Sequence, residues 1–321
     1  MKKFFLILTI TFLMLDYTSA QVELVDVKDP VYDFLKRMQL MNIIPSYNSS
    51  AVPVSRNAVA EYLLQIKHNI QKLTATDITI LKDHEIDFEY DMYGTVNNQR
   101  NIFSKTGIRD LLNNNTQKHL YFHTDTNRTF FTDLSSSISL RNSTGDQYIN
   151  SHRYTYRDDH RESPGENRRL HGELGVKLRG TLYNSVAFYL KFSKGHFEND
   201  DEGVVNESSS ELLLNGNNSY IKKNENHNSF EGYLRYQTSS GWLALTFGRT
   251  QLNYGFGYID KLFLSDNSAP FDFGKLDISY KAVSYSFTYG SIKGDSTGIY
   301  PEFSIRRLSS KNIATHMLNL T

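Results

Sequence analysis

The chain has 321 residues, no cysteine and a formal net charge of +0. Without cysteine it has no disulfide, no thiolate nucleophile and no Cys-based metal site. Its balanced charge gives no global pull toward nucleic acid or anionic surfaces, and its length allows one large or two modest domains.

The opening residues read as an export signal over 1–20. Lys2 and Lys3 form a positive start, Phe4 to Leu15 is almost wholly apolar, and Thr18-Ser19-Ala20 offers small residues for cleavage before Gln21. The apolar run is too short for a membrane-spanning helix. No cysteine follows it, which excludes a lipoprotein anchor. The rest of the chain has a mean hydropathy that looks soluble, −0.48 overall, yet 13% of its residues are aromatic. A transmembrane barrel has this signature, because only alternate residues face lipid. A soluble β-sandwich is the alternative.

Residues 21–95 predict a small helical domain, placed in the periplasm or as a plug. Asp29-Pro30 opens a first helix with Val31, Phe34, Leu35, Met38 and Met41 at helical spacing. Ser55 is a candidate N-cap for a second, with Ala58, Val59, Tyr62, Leu63 and Ile66 on one face. A third begins near Thr76-Asp77 and carries Ile78, Leu81 and Phe88. Residues 96–128 form a weakly patterned, Asn-rich connection.

Over 129–321 the period becomes 2, predicting antiparallel transmembrane strands. Val283, Tyr285, Phe287 and Tyr289 oppose Ser284, Ser286 and Thr288. Leu170, Leu174, Val176 and Leu178 oppose His171, Glu173, Lys177 and Arg179; Leu234 and Tyr236 oppose Glu231, Arg235 and Gln237. A polar lumen with a lipid exterior fits this pattern. Short turns at Tyr183-Asn184, Ser239-Gly241 and Lys281-Ala282 alternate with long polar loops near 142–168, 195–228, 251–274 and 291–309. That sorting by length matches tight periplasmic turns and large outer loops and is foreign to a Greek-key sandwich. About eight spans emerge, at 129–141, 169–181, 183–194, 229–239, 242–250, 275–281, 283–291 and 310–320. The stretch 118–126 cannot be a full strand without breaking parity. A closed eight-strand barrel is filled by its own side chains, and the chain stops within an alternating strand at Leu318 to Thr321. The expectation is therefore a mainly β fold: a truncated or partial outer-membrane β-barrel after a small helical domain.

The most specific stretch is 247–271. Gly248-Arg249 ends a strand. A loop dense in glycine and aromatics follows, with Tyr254, Gly255, Phe256, Gly257 and Tyr258, and then a polar turn of Ser265, Asp266 and Asn267 closed by Pro270. The glycines permit tight turns. The aromatic rings can stack on sugars or on each other, and Arg249, Ser265, Asp266 and Asn267 supply hydrogen-bonding groups. Gly248, Arg249, Tyr254, Gly255, Gly257, Tyr258, Ser265, Asp266 and Asn267 are accordingly the candidate carbohydrate-binding or motif residues. The same residues also suit pure backbone geometry and packing.

This stretch resembles the capsule assembly Wzi family of outer-membrane proteins. The family pattern falls on Gly248-Arg249, Tyr254-Gly255, Gly257, Leu262 to Ser265, Asn267 and Pro270, with Phe256 where the family often has proline and Tyr254 where tryptophan is common. Pro30 to Leu35, and Ser55-Arg56 leading into Glu61 to Leu64, look like the family's Bacteroidetes-type members. The resemblance implies a large outer-membrane barrel with a helical part below it or plugging it. It also implies a non-enzymatic role in assembling or anchoring capsular polysaccharide or exopolysaccharide. The partners implied are that polysaccharide, outer-membrane lipid and other capsule export components, with no cofactor and no nucleic acid. A polar lumen set of Glu173, Lys177, Arg179, Glu231 and Arg235 motivates the alternative, a porin for sugars or nutrients. An outer-membrane hydrolase ranks last, since the sequence has no GxSxG elbow. The 10 His form no metal spacing, and the acidic clusters Asp158-Asp159-His160 and Asp200-Asp201-Glu202 suit solvation as well as Ca²⁺.

Overall fold

The computed structural model describes residues 21–102, 116–144, 166–199, 226–255, 263–264, 270–293 and 310–320. The expected signal segment, both acidic loop clusters and most of the long loops lie outside these residues.

The helical domain forms where the 3.6 period falls. Helix α1 (Val31–Leu40) buries Val31, Phe34, Leu35 and Met38, while Met41 lies beyond its end and is exposed. Helix α2 (Arg56–His68) starts at Ser55, whose hydroxyl accepts from the Ala58 amide, and buries Val59, Leu63 and Ile66. Helix α3 (Ala75–Asp87) begins one turn-position earlier than its apolar pattern suggests, because Thr74 and Asp77 form a reciprocal capping box. Asp77 also forms an ion pair with Arg37, Oδ1 lying 2.9 Å from Nε, which ties α3 to α1. Thr74→Ala removes one half of the box and leaves the Asp77 amide without its acceptor. We expect a loss of ~1 kcal/mol, read as a lower denaturant midpoint for the helical signal. A short helix α4 (Glu89–Tyr93) follows and ends at Gly94, at φ 66°. The Glu89 carboxylate closes the next turn by accepting from Thr95 Oγ1 and from the Asn97 and Asn98 amides, each at 2.8 Å.

The chain then makes two short parallel strands, β2 (Gln99–Asn101) and β3 (Gln117–His119), and enters a nine-stranded sheet. In chain order the sheet contains β4 (Tyr121–Thr124), β5 (Arg128–Thr144), β6 (Glu166–Leu182), β7 (Val186–Asn199), β8 (Asn226–Gln237), β9 (Leu243–Thr250), β11 (Phe271–Tyr280), β12 (Val283–Lys293) and β13 (Ser310–Leu320). Every neighbouring pair is antiparallel, and strands follow one another in sequence. The remaining two strands, β1 (Ala51–Val52) and β10 (Asn253–Tyr254), pair with each other. The four-residue β4 keeps the parity that a full strand at 118–126 would break. The turn at Tyr183-Asn184 takes positive φ at both residues, 52° each, and Lys281 takes 51°, which tightens these connections.

The two faces of the sheet differ sharply. On the outer face Leu134, Leu174, Leu234, Phe247 and Leu318 are each more than half exposed. Phe192 and Phe230 pair across β7 and β8 on that face, with ring centroids 5.0 Å apart. Large exposed apolar patches mark surfaces that something apolar covers. On the inner face one lateral row runs Phe131, Arg179, Tyr189, Tyr233, Gly248, Phe273, Gly290, Ile313 across eight strands. The helical domain packs against this face. Among the described residues the sheet does not close, and β4 and β13 are its edges. No helix among them is long and apolar enough to cross a membrane, a fact that does not bear on strands.

Candidate functional site at the domain seam

Of the motif residues, Gly248, Tyr254 and Gly255 lie on the face of the sheet that meets the helical domain. Gly248 lies beneath Tyr233 with φ +156°, and a Cβ there would stand 2.3 Å from the Gly232 carbonyl oxygen and 2.5 Å from Tyr233 Cα. Only glycine lets β8 approach so closely. The close approach places the Tyr233 ring over the inner face, stacked on Tyr189 at 5.2 Å and 9°. The Tyr233 hydroxyl accepts from the Leu24 amide at 2.7 Å and donates to the Leu24 carbonyl at 3.1 Å. It thus grips the backbone of the segment leading into the helical domain.

Arg249 points the other way. It is part-exposed on the outer face and makes a two-pronged ion pair with Asp272, Nε to Oδ1 and Nη2 to Oδ2, both at 2.7 Å. Tyr254 is 1% exposed. Its hydroxyl meets Thr288 Oγ1 at 3.1 Å, and its backbone pairs with Ala51 of β1. Gly255, at φ +111°, donates its amide to the Ser50 carbonyl at 2.8 Å. Tyr254 and Gly255 therefore dock the loop between α1 and α2 onto the sheet. Gly257, Tyr258, Ser265, Asp266 and Asn267 lie outside the described residues. The structure brings Tyr254 and Gly255 together, with Gly248 nearby on the same face, and sends Arg249 to the opposite face.

The seam holds a buried charge cluster that spacing alone does not reveal. Arg56, in the first turn of α2, donates Nη2 and Nε to Asp91 at 2.7 and 3.0 Å and Nη2 to the Asp87 carbonyl at 2.8 Å. Its guanidinium carbon lies 4.2 Å above the Phe88 ring. Arg179 of β6 stacks 4.2 Å over Phe131 and lies 3.8 Å from Asp133. His119 bonds Asp133 and sits 2.6 Å from Gln99 Oε1. Glu23 is fully buried among these groups. Burial pushes its carboxyl up to about 7, against the opposing pull of Arg179. Gln21, Glu23, Asp91 and Tyr233 escaped sequence reading, and Arg56 entered it only through the Ser55-Arg56 part of the resemblance. The one available signal was Tyr233, whose parity places it on the polar face with Glu231 and Arg235.

Below the seam a cleft of about 420 Å³ opens between the helical domain and the short-turn end of the sheet. Asn48, Glu61 and Tyr62 line one side, and Arg235, Lys275 and Asp277 line the other. Arg235 Nη1 donates to Thr246 at 2.9 Å and lies 3.4 Å from Asp277, while Lys275 Nζ lies 3.2 Å from Asp277. An aromatic ring facing amides, hydroxyls and fixed charges can stack on and hydrogen-bond a polyhydroxylated ligand. The volume falls within the range of ordinary ligand pockets, roughly 300–1,000 Å³. Comparison of the chain with protein-family models, with curated proteins and with solved structures finds no match.

Proposed function

We propose that this is a non-catalytic outer-membrane protein that helps assemble or anchor capsular polysaccharide or exopolysaccharide at the cell surface. In this reading the strands form the wall of an outer-membrane barrel, and the apolar outer face meets lipid. The polar inner face is filled by the helical domain, and residues 1–20 are the leader that sends the chain out. The observation that carries the reading is the docking role of the Wzi-like stretch. Tyr254 and Gly255 pin the helical domain to the wall, directly through β1 and β10, which suits an attachment protein better than an open pore. The cleft beside Tyr62 and Arg235 is the candidate saccharide site.

The test uses the full chain purified in detergent and titrated with oligosaccharides cut from its own cell's capsule. Binding is expected, weakened about fivefold by Tyr62→Ala, since one stacked ring contributes on the order of 1 kcal/mol. A deletion strain is expected to shed its capsule. No binding, together with a retained capsule, overturns the reading. The charged cleft also favours a second reading, a sugar or nutrient porin. Planar-bilayer conductance separates the two: the intact anchor is expected to stay nearly silent, an open porin to conduct freely.

A further inference from the structure

We propose that the cleft beside Tyr62 faces the periplasm and takes a short stretch of the polysaccharide from the inner side of the outer membrane, before the polymer reaches the surface. The inference rests on the barrel and saccharide readings above and adds the side from which the ligand arrives.

The sheet gathers its short connections at one end. β4 and β5 join across 125–127, β6 and β7 across 183–185, β8 and β9 across 238–242, and β11 and β12 across 281–282. Main-chain hydrogen bonds link these turns into one rim. The Tyr183 amide donates to the Asn127 carbonyl at 2.7 Å, the Gln237 amide to the Ser185 carbonyl at 2.8 Å, and the Ser279 amide to the Trp242 carbonyl at 2.8 Å. The connections at the other end are long, spanning 145–165, 200–225, 251–270 and 294–309. In an outer-membrane barrel tight turns lie in the periplasm and long loops lie outside. Tyr183, Trp242 and Tyr280 stand exposed along the short-turn rim, where a membrane–water boundary favours amphipathic rings.

The cleft opens inside this rim. Ser239 and Ser240 of the β8–β9 turn, with Ser279 and Ser284 beside the β11–β12 turn, line its sheet side. The register explains the gathering: Ser279 pairs with Ser284, and Ser284 with Asn319. The last inner-face row before the turns therefore carries small polar side chains, which leave room between the sheet and α2. Opposite them Tyr62 packs edge-on against Tyr47, with ring centroids 5.2 Å apart at 76°, so its ring is held in place. Hydroxyls and amides that both donate and accept match the hydroxyls of a sugar, and a fixed ring offers a stacking surface. The helical domain meets the sheet on the long-loop side of this cleft, where Tyr233 holds Leu24 and β1 pairs with β10. Those contacts stand between the cleft and the long-loop end, whereas its other end is bounded by the turns themselves.

A site so placed meets the polymer on its way out. Its volume of about 420 Å³ suits a short stretch of glycan rather than a folded partner. The cleft then serves assembly, and finished polymer in the medium is not its ligand.

The chain has no cysteine, so one introduced thiol reports its own side of the membrane. Two variants of the full chain are compared in cells, Ser240→Cys at the cleft and Ser208→Cys in the 200–225 connection. The probe is a maleimide-polyethylene glycol too bulky to cross the outer membrane. Ser208→Cys is expected to react in intact cells. Ser240→Cys is expected to react only once the outer membrane is opened, a change of at least about tenfold. In detergent, oligosaccharide cut from the cell's own capsule is expected to slow the labelling of Ser240→Cys severalfold. It should leave Tyr183→Cys, on the same rim outside the cleft, unchanged, and Tyr62→Ala should weaken the protection. Ser240→Cys that reacts in intact cells, yet is protected by the oligosaccharide, overturns the periplasmic side and leaves the saccharide reading standing. Absence of protection overturns the saccharide reading and this inference with it. Ser208→Cys that stays unreactive until the membrane is opened overturns the orientation of the barrel, and the inference falls with that too.

Discussion

Replacing Gly248 with alanine is expected to destabilise the folded protein by about 3–5 kcal/mol, the combined cost of backbone strain and overpacking. The new methyl group would overlap backbone atoms of β8, the Gly232 carbonyl oxygen at 2.3 Å and Tyr233 Cα at 2.5 Å. No rotamer change relieves that overlap, so β8 and β9 must part. Tyr233 then loses its grip on Leu24, and the effect reaches the helical domain. Trp242, the only tryptophan, lies between β8 and β9, and its carbonyl accepts from the Ser279 amide at 2.8 Å. Its fluorescence during urea unfolding reports the hairpin directly. Gly172→Ala is the control. Among the described residues nothing lies within 4 Å of a Cβ at that position, and its effect should stay within about 0.5 kcal/mol. Equal losses for the two variants would mean that Gly248 is not specially required.

Much of the sheet was legible because alternation is a local property. Leu174 and Val176 separate from Glu173 and Lys177 within a few residues, and the structure keeps them on opposite faces over the length of β6. The tight turns were legible for the same reason, through Tyr183-Asn184 and Lys281-Ala282. Helix α2 was legible through Ser55. The docking of the helical domain was not. It depends on β1 at 51–52 meeting β10 at 253–254, and a two-residue strand has no period to read. Gln21 to Val25 are buried without any pattern, because they lie between two layers and contact both. In sequence Tyr254 offers an aromatic face for a sugar; in the structure its ring is covered and its hydroxyl meets Thr288. Glycine and tyrosine look alike to a motif whether they hold a ligand or hold a second domain.

The seam and the outer face answer to different solvents. Outside, Leu134, Leu234 and Leu318 gain only if something apolar covers them. Inside, the helical domain covers the sheet through the β1–β10 pairing, the Tyr233 hydroxyl on Leu24 and the charged groups that surround Arg179. A sheet stabilised in this way depends on the helical domain, since its removal would expose Arg179, Asp133 and the Tyr233 hydroxyl together.

That dependence makes Arg56→Met the sharpest test of the seam. Methionine keeps the unbranched stem over Phe88 and removes the charge. The Asp91 side chain, only 2% exposed, is then left buried without its cation, and the Asp87 carbonyl loses its donor. Breaking one half of a buried pair typically costs about 3–5 kcal/mol, and a loss of that size is expected here. The double variant Arg56→Met with Asp91→Leu removes the orphaned charge as well. It should regain most of the loss, because apolar replacements of buried pairs are often near neutral. The seam also predicts a functional outcome. If the proposed barrel is right and the cluster holds the helical domain in place, Arg56→Met should raise conductance in planar bilayers above the near-silent level expected of the parent, and the double variant should lower it again. Stability lost without any rise in conductance would place the helical domain outside the permeation path and confine the Arg56 cluster to holding the helices to one another.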